Sequence, residues 1–347
     1  MAGGIASRPA QAVPDVLERP ALIIKDTGHS AMLAVTRAGN RLVAAGERGR
    51  VLYSDDNGAT WKQAQVPVSV SLTNIFFINA QKGWAIGHSG VVLATQNGGE
   101  TWTRQLDGRQ AAKLMLDAAE RKTGGDDTTA ARQLADARQM VDDGPDKPFL
   151  DLYFSDENAG YVVGAYGLIF RTEDGGKNWT PWQSHVENPR GKHLHAIRSS
   201  GPALYIAGEQ GAILRSTDAG EHFTEVKTPY PGSYFGIILE ADGGLVAYGL
   251  RGNIYRSEDA GKNWQKIAVD TSSLLAADAS LADGTLLIAG HEGDIFRSTD
   301  GGRSFSLLNI DQRSPFTGIT VAADGSIILS GMRGITRLRS TTSQAQK

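Results

Sequence analysis

Short apolar segments punctuated by glycine recur along the whole chain, and their spacing organises everything else. Leu42-Val43-Ala44-Ala45, Tyr161-Val162-Val163 and Leu286-Leu287-Ile288-Ala289 each run into a glycine. Val91-Val92-Leu93 and Ile295-Phe296 follow a second glycine, three residues after the first. Runs this short, bounded by Gly and rich in β-branched and aromatic residues, predict strands. The Gly-x-x-Gly step begins at Gly46, Gly87, Gly164, Gly208, Gly249, Gly290 and Gly331. Successive intervals are 41, 77, 44, 41, 41 and 41 residues, so the 77 is one repeat plus about 36 inserted residues. Another apolar segment precedes each step, as in Ile75-Phe76-Phe77-Ile78 and Phe235-Gly236-Ile237-Ile238. That makes three strands per repeat, and a period near 41 matches a four-stranded propeller blade.

The turn into the fourth strand carries the most specific motif. Ser54 to Trp61 fits the Asp-box pattern Ser/Thr-x-Asp-x-Gly-x-x-Trp/Phe. Further boxes begin at Thr95, Thr172, Ser216, Ser257 and Ser298 and end on Trp102, Trp179, Phe223, Trp264 and Phe305. An Asp side chain is expected to accept the backbone N–H two residues on, Gly to supply a positive φ, and the aromatic to bury the hairpin. Asn97 stands where the other boxes have Asp56, Asp174, Asp218, Asp259 and Asp300, and its amide oxygen can accept the same bond. Six boxes in register specify a fold and say little about activity.

The seventh repeat stops after Ile335 to Arg339 without a box. Pro20-Ala21-Leu22-Ile23-Ile24 is an apolar run lying before the first repeat. It is expected to pair onto the last blade and close the ring, which removes an exposed strand edge. The predicted fold is therefore all-β: a seven-bladed β-propeller of four-stranded antiparallel blades, closed by an N-terminal strand. Residues 1–19 read as a tail or signal-peptide remnant, 20–340 as one propeller and 341–347 as a C-terminal tail. An insertion at about 104–147 reads as a helical hairpin, with Arg109 to Lys122 and Thr128 or Thr129 to Asp142 as its helices.

Up-and-down strand order puts the boxes on one face and the Gly-x-x-Gly turns on the other, together with the insertion. Residues inside those turns are the candidate partner-binding set: Arg48, His88, Tyr166, Arg251, His291 and Arg333. They are expected to ring the channel mouth, with the Arg and aromatic bias of protein interfaces. Arg171, Arg215, Arg256 and Arg297 recur just before the boxes and read as structural pairs for acidic neighbours. Aligning the first strands puts Ala34, Asn74, Asp151, Ala196, Gly236, Ala277 and Gly318 at one level, where only Asn74 and Asp151 are polar. No second carboxylate or nucleophile with its base is evident, as hydrolysis would need. The His residues lack metal-ligand spacing, so neither a catalytic residue nor a metal or other cofactor is expected.

Composition narrows the partner. Net charge is −3 over 347 residues, which gives no field for nucleic acid, and no apolar run of 18 residues spans a bilayer. Cysteine is absent, which excludes disulfides. Ala10-Gln11-Ala12 before Val13-Pro14 has the small residues of a secretory cleavage site, so a periplasmic or otherwise exported protein cleaved near Ala12 is expected.

Segments such as Gly164 to Trp179 and Gly290 to Phe305 resemble the repeats of the photosystem II stability and assembly factors. The resemblance covers roughly residues 20 to 340. It implies a lumenal or periplasmic seven-bladed propeller that helps to assemble a membrane complex, hence a protein partner that is a membrane protein or part of a membrane complex. In a non-photosynthetic relative the client implied is an envelope complex, including a transporter of the resistance-nodulation-division type. The insertion departs from the plain family repeat. Asp boxes also occur in sialidases and xyloglucan-acting glycosidases, so the alternative is an Asp-box glycoside hydrolase or glycan-binding propeller. The Phe-Arg-Ile-Pro motif of sialidases is absent here.

Overall fold

The computed structural model describes residues 15–24, 30–122, 128–240, 242–310 and 313–339. Seven antiparallel sheets follow one another around a ring, six of four strands and one of three. Each is a meander. In blade one Met32–Ala38 pairs with Arg41–Gly46, then Val51–Ser54, then Lys62–Gln63. The same order repeats to blade six, which ends on Ser306–Leu307. Middle strands such as Gly160–Gly164 and Leu245–Gly249 are buried at every position, because neighbouring blades cover both faces.

The boxes form as the sequence predicts, with one difference of reach. Ser54 Oγ accepts the Gly58 N–H at 2.9 Å and donates to Asp56 Oδ1 at 2.7 Å. Asp56 Oδ1 accepts the Thr60 N–H at 2.8 Å, so the carboxylate bond spans four residues rather than two. Asn97 does the same for Thr101 N at 3.0 Å. Gly58 sits at φ 84°, a region that L side chains rarely adopt. These bonds hold the carboxylates down: Asp56 through Thr60 and Asp218 through Ser216 lie well below the usual range. Asp259, through Asn263, and Asp300, through Ser304, lie at about 2. A depressed folded pKa gives stability that is present above the unfolded value, about 3.9, and is lost as pH falls through the folded one. The melting temperature is therefore expected to hold from about pH 7 to 5 and to drop between about pH 4 and 2. Asp56→Asn with Asp218→Asn should make that drop shallower, and an unchanged slope would show that the boxes do not set acid stability.

Two of the four arginines ahead of the boxes pair with acidic groups, whereas Arg215 lies 5.8 Å over the Tyr205 ring. Arg171 binds Glu173 at 2.9 Å and Glu221 in the next blade's box at 2.8 Å. Arg256 donates to Gly301 O at 2.6 Å and pairs with Glu258. Arg297 is exposed.

Ring closure differs from the expectation. Blade seven has three strands among the described residues, Phe316–Val321, Ile327–Gly331 and Gly334–Leu338, and no N-terminal strand joins them. The run at Pro20 to Ile24 lies along blade one instead: Ala21 N donates to Val66 O at 3.0 Å, and Gln63 bonds both Leu22 O and Ile24 N. Leu17 and Ala21 drop into the core between blades one and two, which commits the segment there and leaves Leu22 77% and Ile23 60% exposed. Blade seven meets blade one face to face, burying Met32, Val35, Leu42, Ala322 and Ile328 together. Thr317 Oγ1 donates to Met32 O at 2.9 Å across this joint. Equivalent bonds join other blades, from Thr73 to Phe149 O at 2.7 Å and from the His195 Nδ1–H to Tyr234 O at 2.8 Å. The closing joint is thus an ordinary blade joint. Leu17→Ala should cost about 2–4 kcal/mol by leaving a cavity. Deleting residues 1–24 should lower the melting temperature while scattering still reports a closed ring. An expanded radius would restore the strand-closure account.

Candidate functional site

Each first strand carries one extra residue near its start. Strands one and two slip register there in every blade, leaving Leu33, Thr73, Leu150, His195, Phe235, Ala276 and Thr317 without a partner. All seven line a central cavity of about 1180 Å³. A bulge turns its side chain out of the blade's alternation, here toward the axis.

One residue deeper lies the level aligned from sequence, and its polar members do meet. Asn74 Nδ2 donates to Asp151 Oδ1 at 2.6 Å. Asp151, 2% exposed, also accepts Leu152 N at 2.9 Å and Ile197 N at 2.7 Å, and pairs with Arg198. Burial pushes its carboxyl upward, and Arg198 with the two main-chain N–H groups opposes this. All four partners donate, so the geometry holds a carboxylate. Beyond Arg198, Tyr248 donates to Asp278 at 2.5 Å, and both neighbours act on the Arg198 charge. Gly236 admits that ring: a Cβ there would stand 2.0 Å from Tyr248 Oη. The belt therefore runs through blades two to six. Arg198 and Asp278 were missed because they fall beside the aligned level. An arginine on an innermost strand was the available signal.

All six candidate turn residues, Arg48, His88, Tyr166, Arg251, His291 and Arg333, are exposed on the Gly-x-x-Gly face, but only His291 lines the cavity. The bulge residues form the rim in their place. The turn joins strands two and three, so it lies at least one strand spacing, about 5 Å, further from the axis. Within blades one to five the second turn residue is left-handed, as at Arg48 (φ 55°), Tyr166 (φ 56°) and Arg251 (φ 56°).

The insertion leaves and re-enters on this face. Asp107 caps its first helix, α1 (Gly108–Lys122), by accepting Arg109 N at 2.9 Å and Gln110 N at 3.1 Å. Gln110 Oε1 in turn accepts Asp107 N at 3.0 Å, a reciprocal cap. Gly108 lies against Ser89 O, and the returning Lys147 Nζ stands 5.4 Å over the Tyr166 ring. Between these ends α1 and α2 (Thr128–Asp143) cover the flank of blade three, where Ala111, Ala112 and Met140 are buried with Trp179. The hairpin is a flank cover, not a lid. Among the described residues no helix is long and apolar enough to cross a membrane.

Fold and boxes together define the class, a seven-bladed Asp-box propeller. The family described as Photosynthesis system II assembly factor YCF48 matches residues 11–96, 55–123 and 131–302, and the chain belongs to it. Photosystem II stability/assembly factor HCF136 of Cyanidioschyzon merolae is 28% identical over 138 residues, which is 35% of this chain and 31% of that protein. The chain thus matches about a third of that relative's length. A solved structure of YCF48 bound to D1 peptide is 18% identical with a TM-score of 0.65, covering 93% of this chain and 99% of its own. A GH74 xyloglucanase from Xanthomonas campestris is 14% identical with a TM-score of 0.64, over 93% of this chain and 54% of the enzyme. At such identities the likeness to both structures is one of fold.

Proposed function

We propose that this protein is a non-enzymatic assembly or stability factor that holds a segment of a membrane-complex subunit on its Gly-x-x-Gly face. The observation that carries this reading is the division of labour between faces. On the box side, arginines such as Arg41 and Arg171 are tied to the next blade's acidic groups. On the opposite side Arg48, Tyr166, Arg251 and Arg333 are exposed tips. Family membership supports the assembly role, and a related propeller bound to a peptide supports a protein client. The relatives above lend no support to a resistance-nodulation-division transporter as that client. A glycosidase reading has only the shared fold behind it, since Asp151 is engaged by four donors and Asp278 by Tyr248. Export, with cleavage near Ala12, belongs to the same proposal. That site lies outside the described residues, and a mature N-terminus at Val13 would support it.

Replacing residues 106–144 by a short loop would uncover the flank of blade three, so charge reversal is the cleaner test. Arg251→Glu with Arg333→Glu is expected to reduce partner co-purification at least about tenfold. Lys177→Glu with Lys262→Glu, exposed on the boxes, should leave it unchanged. The opposite pattern would place the partner on the other face.

A further inference from the structure

Seven copies of one blade provide an internal control. What the fold requires at a position recurs around the ring, and what one sector alone carries serves something else. On the Gly-x-x-Gly face, aromatic rings gather on blades three to five. Tyr166 is 63% exposed although its φ of 56° disfavours a bulky residue. Its ring meets His193 edge-on at 4.9 Å, and His193 stands 6.3 Å from His195. His195 in turn stacks on Phe235 at 4.5 Å with planes 7° apart. The rings of Tyr166, His193, His195 and Phe235 thus form one ridge from a turn tip to the channel rim. At the bulge position the other blades place Leu33, Thr73, Leu150, Ala276 and Thr317, none aromatic. Blade joints form with threonine there, as Thr73 and Thr317 show, so the ridge is not needed to close the ring.

Two exposed arginines flank the ridge. Arg190, next to the Tyr166 turn, and Arg251, at the tip of blade five, are exposed and have no acidic partner among the described residues. Glu209 lies 3.8 Å from His193. We infer that the ridge seats an extended peptide whose aromatic side chain stacks on these rings and whose flanking acidic residues meet Arg190 and Arg251. This rests on the reading of the protein as a holder of a client segment and names the chemistry of that segment. Aromatic stacking supplies contact area at low entropic cost, and the arginines fix direction.

Three fluorescein-labelled peptides of equal length test this by anisotropy: one with a central Trp and Phe between Asp and Glu residues, one with the same centre between Lys residues, and one with acidic flanks around Ser. The first should bind at least about tenfold tighter than either other. Tyr166→Asn suits the left-handed backbone, and Phe235→Thr installs the residue of blades two and seven, so both variants should fold. Each should weaken the first peptide about fivefold or more with an unchanged melting temperature. Equal binding of the three peptides, binding of none, or indifference to both variants overturns the inference. If the native partner still co-purifies with the double ridge variant but is released by Arg48→Glu with Arg333→Glu, the proposed function stands and the ridge drops out of it.

Discussion

Gly236→Ala is expected to lower the melting temperature by about 5 °C, although glycine here has no unusual backbone angle. The reason is Tyr248, whose ring lies under Gly236 with Oη 2.0 Å and Cζ 2.1 Å from where a Cβ would be. The ring cannot retreat, because Tyr248 is 1% exposed and its hydroxyl is bonded to Asp278. Overpacking costs about 1–3 kcal/mol, and loss of a buried bond to a charged group adds about 1–3. A double-mutant cycle isolates the clash. In blades one, four and six this pair is already alanine against alanine, as Ala34 with Ala45, Ala196 with Ala207 and Ala277 with Ala289. Gly236→Ala should therefore cost little in a Tyr248→Ala background. Additive losses, read from thermal unfolding of the four proteins, would mean that Gly236 matters for some other reason.

Asp151→Ala should be comparably damaging, by about 2–4 kcal/mol, because it leaves the Leu152 and Ile197 N–H groups and Asn74 without their acceptor. Asn74, Ile197 N and Arg198 lose their shared acceptor, and with it blades two, three and four lose a common joint. A conservative change tests this directly. Asp151→Asn keeps an acceptor oxygen for these donors and should cost less than Asp151→Ala. A single Asp151→Ala change that leaves stability intact would contradict the structural role. If it abolished turnover of a glycan instead, the glycosidase reading would replace ours.

The blades were legible because their determinants are local. A box closes through bonds within six residues of Ser54 or Thr172, so its sequence states its own geometry. The aligned level of the first strands was legible too, and it brought Asn74 and Asp151 together across 77 residues. The rim was not legible, because a bulge shifts the channel-facing residue by one and leaves no mark on the period. Arg198 was missed because its carboxylate partner lies 47 residues away, with nothing in the intervening chain pointing to it. Closure misled for a physical reason. Pro20 to Ile24 has the composition of a strand, but the anchors Leu17 and Ala21 bind it to the flank of blade one, while Thr317 closes the ring with the same bond that joins other blades.

Hydrogen exchange of the protein with and without its co-purified partner tests the central claim, that binding occupies the Gly-x-x-Gly face. Protection is expected in residues 164–167, 190–195, 233–236 and 249–252, with the boxes at 216–223 and 257–264 unchanged. Protection of the boxes with the Gly-x-x-Gly turns unaltered would contradict it.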